Sequence, residues 1–140
     1  MTATTAPLLA ALEKAGLPFL AGEPLARHTT LGVGGPVPAF LLPRDAAEVG
    51  RCLEVLGDLA FPYRVLGAGS NVLALDEGLD FAVITTERLA STAPPPANAT
   101  RVAAGAGVFL PRLVRETASP ASPGSSSRSA SRAASVARCG

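Results

Sequence analysis

The sequence predicts an α+β domain, in which short strands and a few helices share one core. Three observations predict it. The chain has 140 residues of which 48% are hydrophobic, helical spacing occurs in two or three segments, and several short apolar runs are separated by glycine and proline. Because these helices and strands do not alternate regularly, an α+β arrangement is favoured over a doubly wound sheet.

The predicted helices have recognisable starts. Pro7 opens a short amphipathic helix that Gly16 ends. Asp45, with Glu48 three residues later, is typical of a capping box, and the apolar residues after it recur at i, i+3, i+4 and i+7. Pro111 begins a third, shorter helix. The second of these segments carries the clearest helical pattern.

The predicted strands are short and apolar. Residues 39–42, 63–66 and 81–85 have the composition of buried strands, and residues 72–75 and 101–104 are expected to be extended as well. Residues 29–38 contain too much glycine and proline for a regular element, and the three prolines at 94–96 indicate an exposed loop. Strand and helix connections are therefore rich in glycine and proline.

Charge and composition exclude several function classes. Residues 1–118 contain nine basic residues against eleven acidic ones, so no basic face for nucleic acid is expected. No apolar run is long enough to cross a bilayer and no signal peptide is recognisable, which predicts a cytoplasmic protein without a membrane partner. Cys52 falls in a helical pattern and Cys139 near the C-terminus, and neither has a base nearby in sequence. We predict neither a metal site nor a cysteine nucleophile.

A glycine-rich segment follows the strand at 63–66. Gly67 and Gly69 would let main-chain amides approach a phosphate closely, and Ser70 and Asn71 add short polar groups. A tight turn between two strands would explain the same residues, so this motif alone leaves both interpretations open. Val72 stands where the dinucleotide fingerprint needs glycine or alanine, and the only lysine of the chain lies far away in the first helix, so neither a Rossmann nor a Walker loop is predicted.

Four segments in register make the pattern more specific. They are Thr-Thr-Leu-Gly-Val-Gly-Gly-Pro at 29–36, Val-Leu-Gly-Ala-Gly-Ser-Asn-Val-Leu at 65–73, Val-Ile at 83–84 and Ala-Ala-Gly-Ala-Gly-Val at 103–108. Together they resemble the UDP-N-acetylenolpyruvoylglucosamine reductases, also called UDP-N-acetylmuramate dehydrogenases. The resemblance covers roughly residues 8–118.

The resemblance implies a fold and a cofactor site. The fold would be the vanillyl-alcohol-oxidase type, or PCMH-type, of FAD-binding domain, present here as an incomplete domain over residues 1–118. The pyrophosphate of FAD would lie against the loop at 67–71, a second segment would line the FAD channel, and a third would close the first subdomain near the cofactor. The implied cofactor-binding residues are Gly67, Ala68, Gly69, Ser70 and Asn71 in the loop, Gly105, Ala106 and Gly107 in the channel, and Thr30, Gly34 and Gly35 in the first subdomain.

The resemblance also implies a reaction. In the family, NADPH reduces FAD, and the flavin delivers hydride to UDP-N-acetylglucosamine enolpyruvate in peptidoglycan precursor synthesis. The family's proton donor lies beyond the position that matches residue 118, so no catalytic residue is assigned and the chain is expected to be an inactive N-terminal fragment. His28, where the family commonly has asparagine, is expected to be an unpaired surface or turn residue, and residues 76–80 a solvated acidic turn.

Residues 119–140 are expected to be a disordered, low-complexity tail, because a composition of mainly serine, alanine and arginine cannot bury a core. With suitable synonymous codons, the neighbouring reading frame encodes Gly-Ile-Pro-Gly-Ser-Val-Gly-Gly, which resembles the family's second glycine-rich FAD element. We therefore hypothesise a single-base deletion near the codons for residues 117–119, which the DNA sequence across this junction tests. Two alternatives stay open: a standalone, non-catalytic binding module whose Arg-Ser tail is phosphorylated, and another PCMH-type flavoprotein oxidoreductase.

Overall fold

The computed structural model describes residues 5–92 and 101–118, which fall into two compact units divided after Leu89. The first unit contains helices α1 (Thr5–Lys14) and α2 (Ala46–Asp58) and strands β1 (Phe19–Pro24), β2 (Pro36–Leu41), β3 (Tyr63–Leu66) and β4 (Ala82–Thr85). A 3-10 turn (Leu25–His28) follows β1, and helix α3 (Leu110–Ala118) belongs to the second unit. The predicted loop at 94–96 and the tail at 119–140, with Cys139, lie outside the described residues.

The four strands form one sheet in the order β1-β2-β4-β3. Strand β1 runs antiparallel to β2, while β4 is parallel to both β2 and β3. Strand β3 is therefore an edge strand, and three of its four residues are exposed. This position leaves the loop that follows β3 at the margin of the sheet.

Both faces of the sheet are covered. On one face, α1 and α2 pack on β2 and β4 and form a core that we call the helix-side core, made of Leu8, Leu12, Leu17, Ala39, Leu41, Cys52, Leu56, Phe61, Ala82 and Ile84. On the other face, the 3-10 turn and the chain between β3 and β4 cover the loop-side core, made of Leu25, Val37, Phe40, Leu66 and Val83. Alternate residues of β4 thus enter opposite cores, as a pleated strand requires.

Helix α2 begins and helix α1 ends as the local sequence predicts, whereas α1 begins at Thr5, two residues before Pro7. Asp45 caps α2, since its side chain accepts a 2.8 Å hydrogen bond from the amide of Glu48. Gly16, at φ +63°, ends α1 by donating to Glu13, while the amide of Leu17 donates to Leu12. This pair of bonds is the Schellman motif that glycine favours. Among the described helices, none is long and apolar enough to span a membrane.

Several predicted elements are wrong in detail. Strand β1 and the 3-10 turn were not predicted, and β2 begins at Pro36, inside the segment judged too rich in glycine and proline for an element. Residues 72–75 contain no strand, and residues 101–104 contribute only one isolated bridge, from Ala104 to Thr92. These differences share a cause, because pairing between distant segments decides whether a short run becomes a strand.

Candidate flavin-binding site

The loop at 67–71 lies at the surface, directly after the edge strand β3. Gly67, Ala68, Ser70 and Asn71 are exposed, and only Gly69 is buried. The loop neither enters the packed interior nor starts a helix. Its amides are therefore placed where a ligand could approach them.

Gly69 has a left-handed main-chain conformation, which also occurs in anion-binding turns. Its φ is +64°, in the left-handed region that favours glycine. Within the part of the chain that the structure describes, the main-chain N–H groups of residues 68–71 donate to no protein acceptor. Successive amides around a left-handed residue form a concave group of donors that suits a phosphate oxygen.

The first glycine-rich segment, residues 29–36, lies against the loop at 67–71. The amide of Thr30 donates a 3.0 Å hydrogen bond to the carbonyl of Gly69. A Cβ on Gly69 would overlap the carbonyl oxygen of His28, so glycine is required there by packing as well as by φ. The structure thus brings Thr30, from the segment at 29–36, to the predicted pyrophosphate loop.

Gly34 and Gly35 contact the chain further along, at residues 74–77. The amide of Gly34 donates to Oδ1 of Asp76 at 3.1 Å, and the amide of Gly35 donates to the carbonyl of Leu75 at 2.7 Å. A Cβ on Gly35 would overlap the carbonyl oxygens of Asp76 and Glu77. Both glycines are buried, so their evident role is the close approach of two main chains.

The same contacts add a role to the acidic turn. Asp76, Glu77 and Asp80 are exposed, as expected of a solvated turn, but Asp76 also accepts a main-chain hydrogen bond from a residue 42 positions earlier. An acceptor this distant in sequence carries no local signal. Asp76 is therefore a structural residue that holds the glycine-rich segment in place.

The segment predicted to line the FAD channel, residues 105–107, lies in the second unit. Gly105 donates its amide to the carbonyl of Ser91 at 2.8 Å and accepts from the amide of Val108 at 3.1 Å. Ala106 and Gly107 form the turn between these bonds. The amide of Gly105 is thus engaged within its own unit.

His28 lies in a turn, which is one of the two positions expected from the sequence, but it is neither unpaired nor at the surface. Its side chain is 16% exposed, its Nε2 lies 3.1 Å from Oε1 of Glu23, and its ring stacks on Phe40 with centroids 4.0 Å apart. The residue lies at the end of the 3-10 turn, next to the contact with Gly69. No sequence signal reveals this, because Phe40 belongs to a strand that begins eight residues later.

Within the described residues, no cluster of histidine, cysteine, aspartate or glutamate could hold a metal ion. Cys52 is buried in the helix-side core, and this burial, with the nearby charge of Glu48, raises the pKa of its thiol to about 11. A thiol with so high a pKa is protonated at neutral pH and a poor nucleophile.

An apolar cavity of about 410 Å³ lies between the edge of the sheet and the segment after the loop. Residues 72–75, predicted to be extended, form one of its walls, and sequence reasoning did not anticipate it. The cavity is lined by Leu25, Arg64, Val65, Leu66, Val72, Leu73, Ala74, Leu75, Leu79, Phe81 and Val83.

No protein-family model matches the chain. Curated relatives do: it is 44% identical over 98 residues to the UDP-N-acetylenolpyruvoylglucosamine reductase of Syntrophotalea carbinolica, which covers 70% of the chain and 32% of the relative. The reductase of Geotalea uraniireducens is 37% identical over 115 residues, covering 82% of the chain and 37% of the relative. The chain spans about a third of the length of these relatives.

Among solved structures, an alkyldihydroxyacetonephosphate synthase superposes with a TM-score of 0.62 at 20% identity, over 80% of the chain and 24% of the synthase. At this identity the likeness concerns the fold alone. It confirms the predicted fold class, an α+β, PCMH-type FAD-binding domain of which part is present. The alignment with the Geotalea uraniireducens reductase includes the loop after the edge strand and the glycines packed against it. The chain therefore belongs to the UDP-N-acetylenolpyruvoylglucosamine reductase family.

Proposed function

We propose that this chain forms part of an FAD-binding site, in which the main-chain amides of residues 68–71 hold the diphosphate of the cofactor. The observation that carries the proposal is the exposed loop itself, with a left-handed glycine and amides that have no protein acceptor among the described residues. Main-chain amides offer hydrogen bonds to an anion without the cost of burying a charged side chain.

The fit extends to the packing beneath the loop. Gly69 is locked against His28 and Thr30, so the loop is held in one conformation before any ligand arrives. A preformed site loses less conformational entropy on binding than a flexible one. In this proposal Gly69 shapes the loop, while Gly67, around which an added Cβ would meet open space, lets the ligand approach.

The wider proposal is that this chain takes part in the reaction of the whole family. FAD, when bound, supplies hydride transfer from NADPH to the enolpyruvyl double bond of UDP-N-acetylglucosamine enolpyruvate, in the cytoplasmic synthesis of peptidoglycan precursors. The part of this chain is to bind and orient the cofactor. Because the resemblance assigns the family's proton donor to a region beyond the match, we propose that this chain alone does not complete the reaction.

A charge placed in the loop tests the diphosphate site. Ser70 is exposed, so Ser70→Asp and Ser70→Asn differ by one negative charge and almost nothing else. A carboxylate a few ångströms from a diphosphate costs on the order of 1–4 kcal/mol, depending on the local dielectric. Isothermal titration with FAD should give a dissociation constant at least about fivefold higher for S70D than for S70N.

The ligand series adds a second check. ADP shares the diphosphate of FAD and should compete with it, whereas riboflavin lacks phosphate and should not. Equal FAD affinity in S70D and S70N would remove the diphosphate from this loop, and absence of FAD binding by the wild-type chain would remove the proposal altogether. Oxidation of NADPH by the purified chain with the enolpyruvyl substrate would contradict the expected inactivity.

A further inference from the structure

We propose that His28 is a positioning residue for the flavin-binding loop, residues 67–71. Its imidazole anchors the chain at 28–30 to the sheet, and that chain in turn holds Gly69. The inference rests on the proposed function only in taking FAD as the ligand of this loop, since the anchoring itself belongs to the free protein.

The imidazole is fixed on two sides. Its Nε2 lies 3.1 Å from Oε1 of Glu23, which is within hydrogen-bond distance. Its ring lies on that of Phe40, with an angle of 22° between the planes. Glu87 is the other acid facing the ring, with Oε1 4.0 Å from Nδ1, and Arg27 lies 3.6 Å from the same oxygen of Glu23.

The anchor is tied to the sheet rather than to the surface. Phe40 is fully buried in β2 and belongs to the loop-side core, and the side chain of Glu23, in β1, is only 13% exposed. These two strands pair with each other through five registered positions. The His28 ring thus contacts two neighbouring strands of the same sheet.

The main chain of residues 28–30 connects the imidazole ring to the flavin-binding loop. The carbonyl of His28 lies against the Cα of Gly69, and the amide of Thr30, two residues on, donates to the carbonyl of Gly69 at 3.0 Å. Thr29 between them is held by a 2.9 Å hydrogen bond from its hydroxyl to the carbonyl of Val33. Without the imidazole, residues 28–30 lose their attachment to the sheet, and Gly69 loses its support.

The expected size of the effect follows from populations. If removing the ring leaves the loop in its binding geometry about a tenth of the time, the apparent dissociation constant of FAD rises about tenfold. The hydrogen bond from Thr30 to Gly69 is then open about nine-tenths of the time, so the Thr30 amide exchanges at close to its unprotected rate. The two readouts are independent, because exchange needs no ligand.

The test uses the full chain with His28→Ala, His28→Gln and His28→Phe. Amide exchange of Thr30 is followed by NMR, and that of Leu42, which donates to the carbonyl of Pro18, serves as a reference for overall stability. We expect His28→Ala to raise the FAD dissociation constant about tenfold and to accelerate exchange at Thr30 much more than at Leu42. Glutamine, which keeps a donor for Glu23, and phenylalanine, which keeps the stack, should each restore part of both effects.

Two exchange results would overturn the anchoring: unchanged exchange at Thr30 in His28→Ala, or equal acceleration at Thr30 and Leu42, which would mean a general loss of stability. If the wild-type chain binds no FAD while His28→Ala still accelerates exchange at Thr30 selectively, the flavin site is wrong and the anchoring stands. If FAD binds but its affinity is the same in all variants, the anchoring has no role in binding, and this proposal fails while the proposed function stands.

Discussion

Replacing Gly69 by alanine should destabilise the protein strongly, although it adds a single methyl group. Gly69 is buried with φ at +64°, and an added Cβ would overlap the carbonyl oxygen of His28. Gly67, two residues earlier in the same loop, would place its Cβ in open space. Gly50, inside α2, is equally free of neighbours. These two positions supply matched glycine-to-alanine controls.

The expected magnitude has two parts. An alanine in the left-handed region costs about 1–2 kcal/mol. Relief of the overlap requires the main chain at residue 28 to move, and such overpacking costs about 1–3 kcal/mol more. We therefore expect Gly69→Ala to lower the free energy of unfolding by about 2–5 kcal/mol, a large share of the ~5–15 kcal/mol of a typical domain. Gly50→Ala should instead raise it by about 0.5–1 kcal/mol, since alanine favours a helix interior.

Urea unfolding followed by far-ultraviolet circular dichroism measures these differences, with the dependence on urea checked for a common slope. Gly67→Ala should lie within about 0.5 kcal/mol of the wild type, as expected for an unhindered surface position. If Gly69→Ala were as stable as Gly67→Ala, the contact between residue 69 and the first glycine-rich segment would not exist in solution. The loop would then not be preformed.

Three further predictions concern α2 and its ends. Ala60 ends this helix at φ +47°, so Ala60→Gly should raise the free energy of unfolding by up to about 1 kcal/mol, and the urea midpoint with it. A lower midpoint would contradict the left-handed conformation. The hydrogen bond from Arg44 lowers the pKa of Glu48 below its ordinary 4.5. The pair therefore stabilises the fold fully above pH 4.5, and this stabilisation is lost as the pH falls through the lowered pKa. Glu48→Gln should therefore show a shallower loss of stability in acid than the wild type, and identical slopes would contradict the pairing. Burial raises the pKa of Cys52 to about 11, so in a variant whose other cysteine is serine, a thiol reagent at pH 8 should react at the rate of unfolding; immediate reaction would place Cys52 at the surface.

Elements with local signals were predicted well. The start of α2 at Asp45 depends on a capping bond between residues three positions apart, and Gly16 ends α1 by bonds to the preceding turn. Strand β1 was missed because Gly22 and Pro24 disfavour a strand locally. It forms because its partner β2 aligns with it in antiparallel register, and Gly22, at φ +64°, falls at the step where the two strands are not paired.

The sequence by itself determined the family, the fold class and the helices, because aligned motifs, caps and apolar spacing are local properties of the chain. Only the tertiary structure decided why particular glycines are needed and what surrounds them. Gly35 lies against residues 76 and 77, Gly69 lies against residue 28, and Asp76 bonds Gly34 across 42 positions. Such contacts depend on how distant segments meet over a shared sheet, and no local pattern in either segment encodes that meeting.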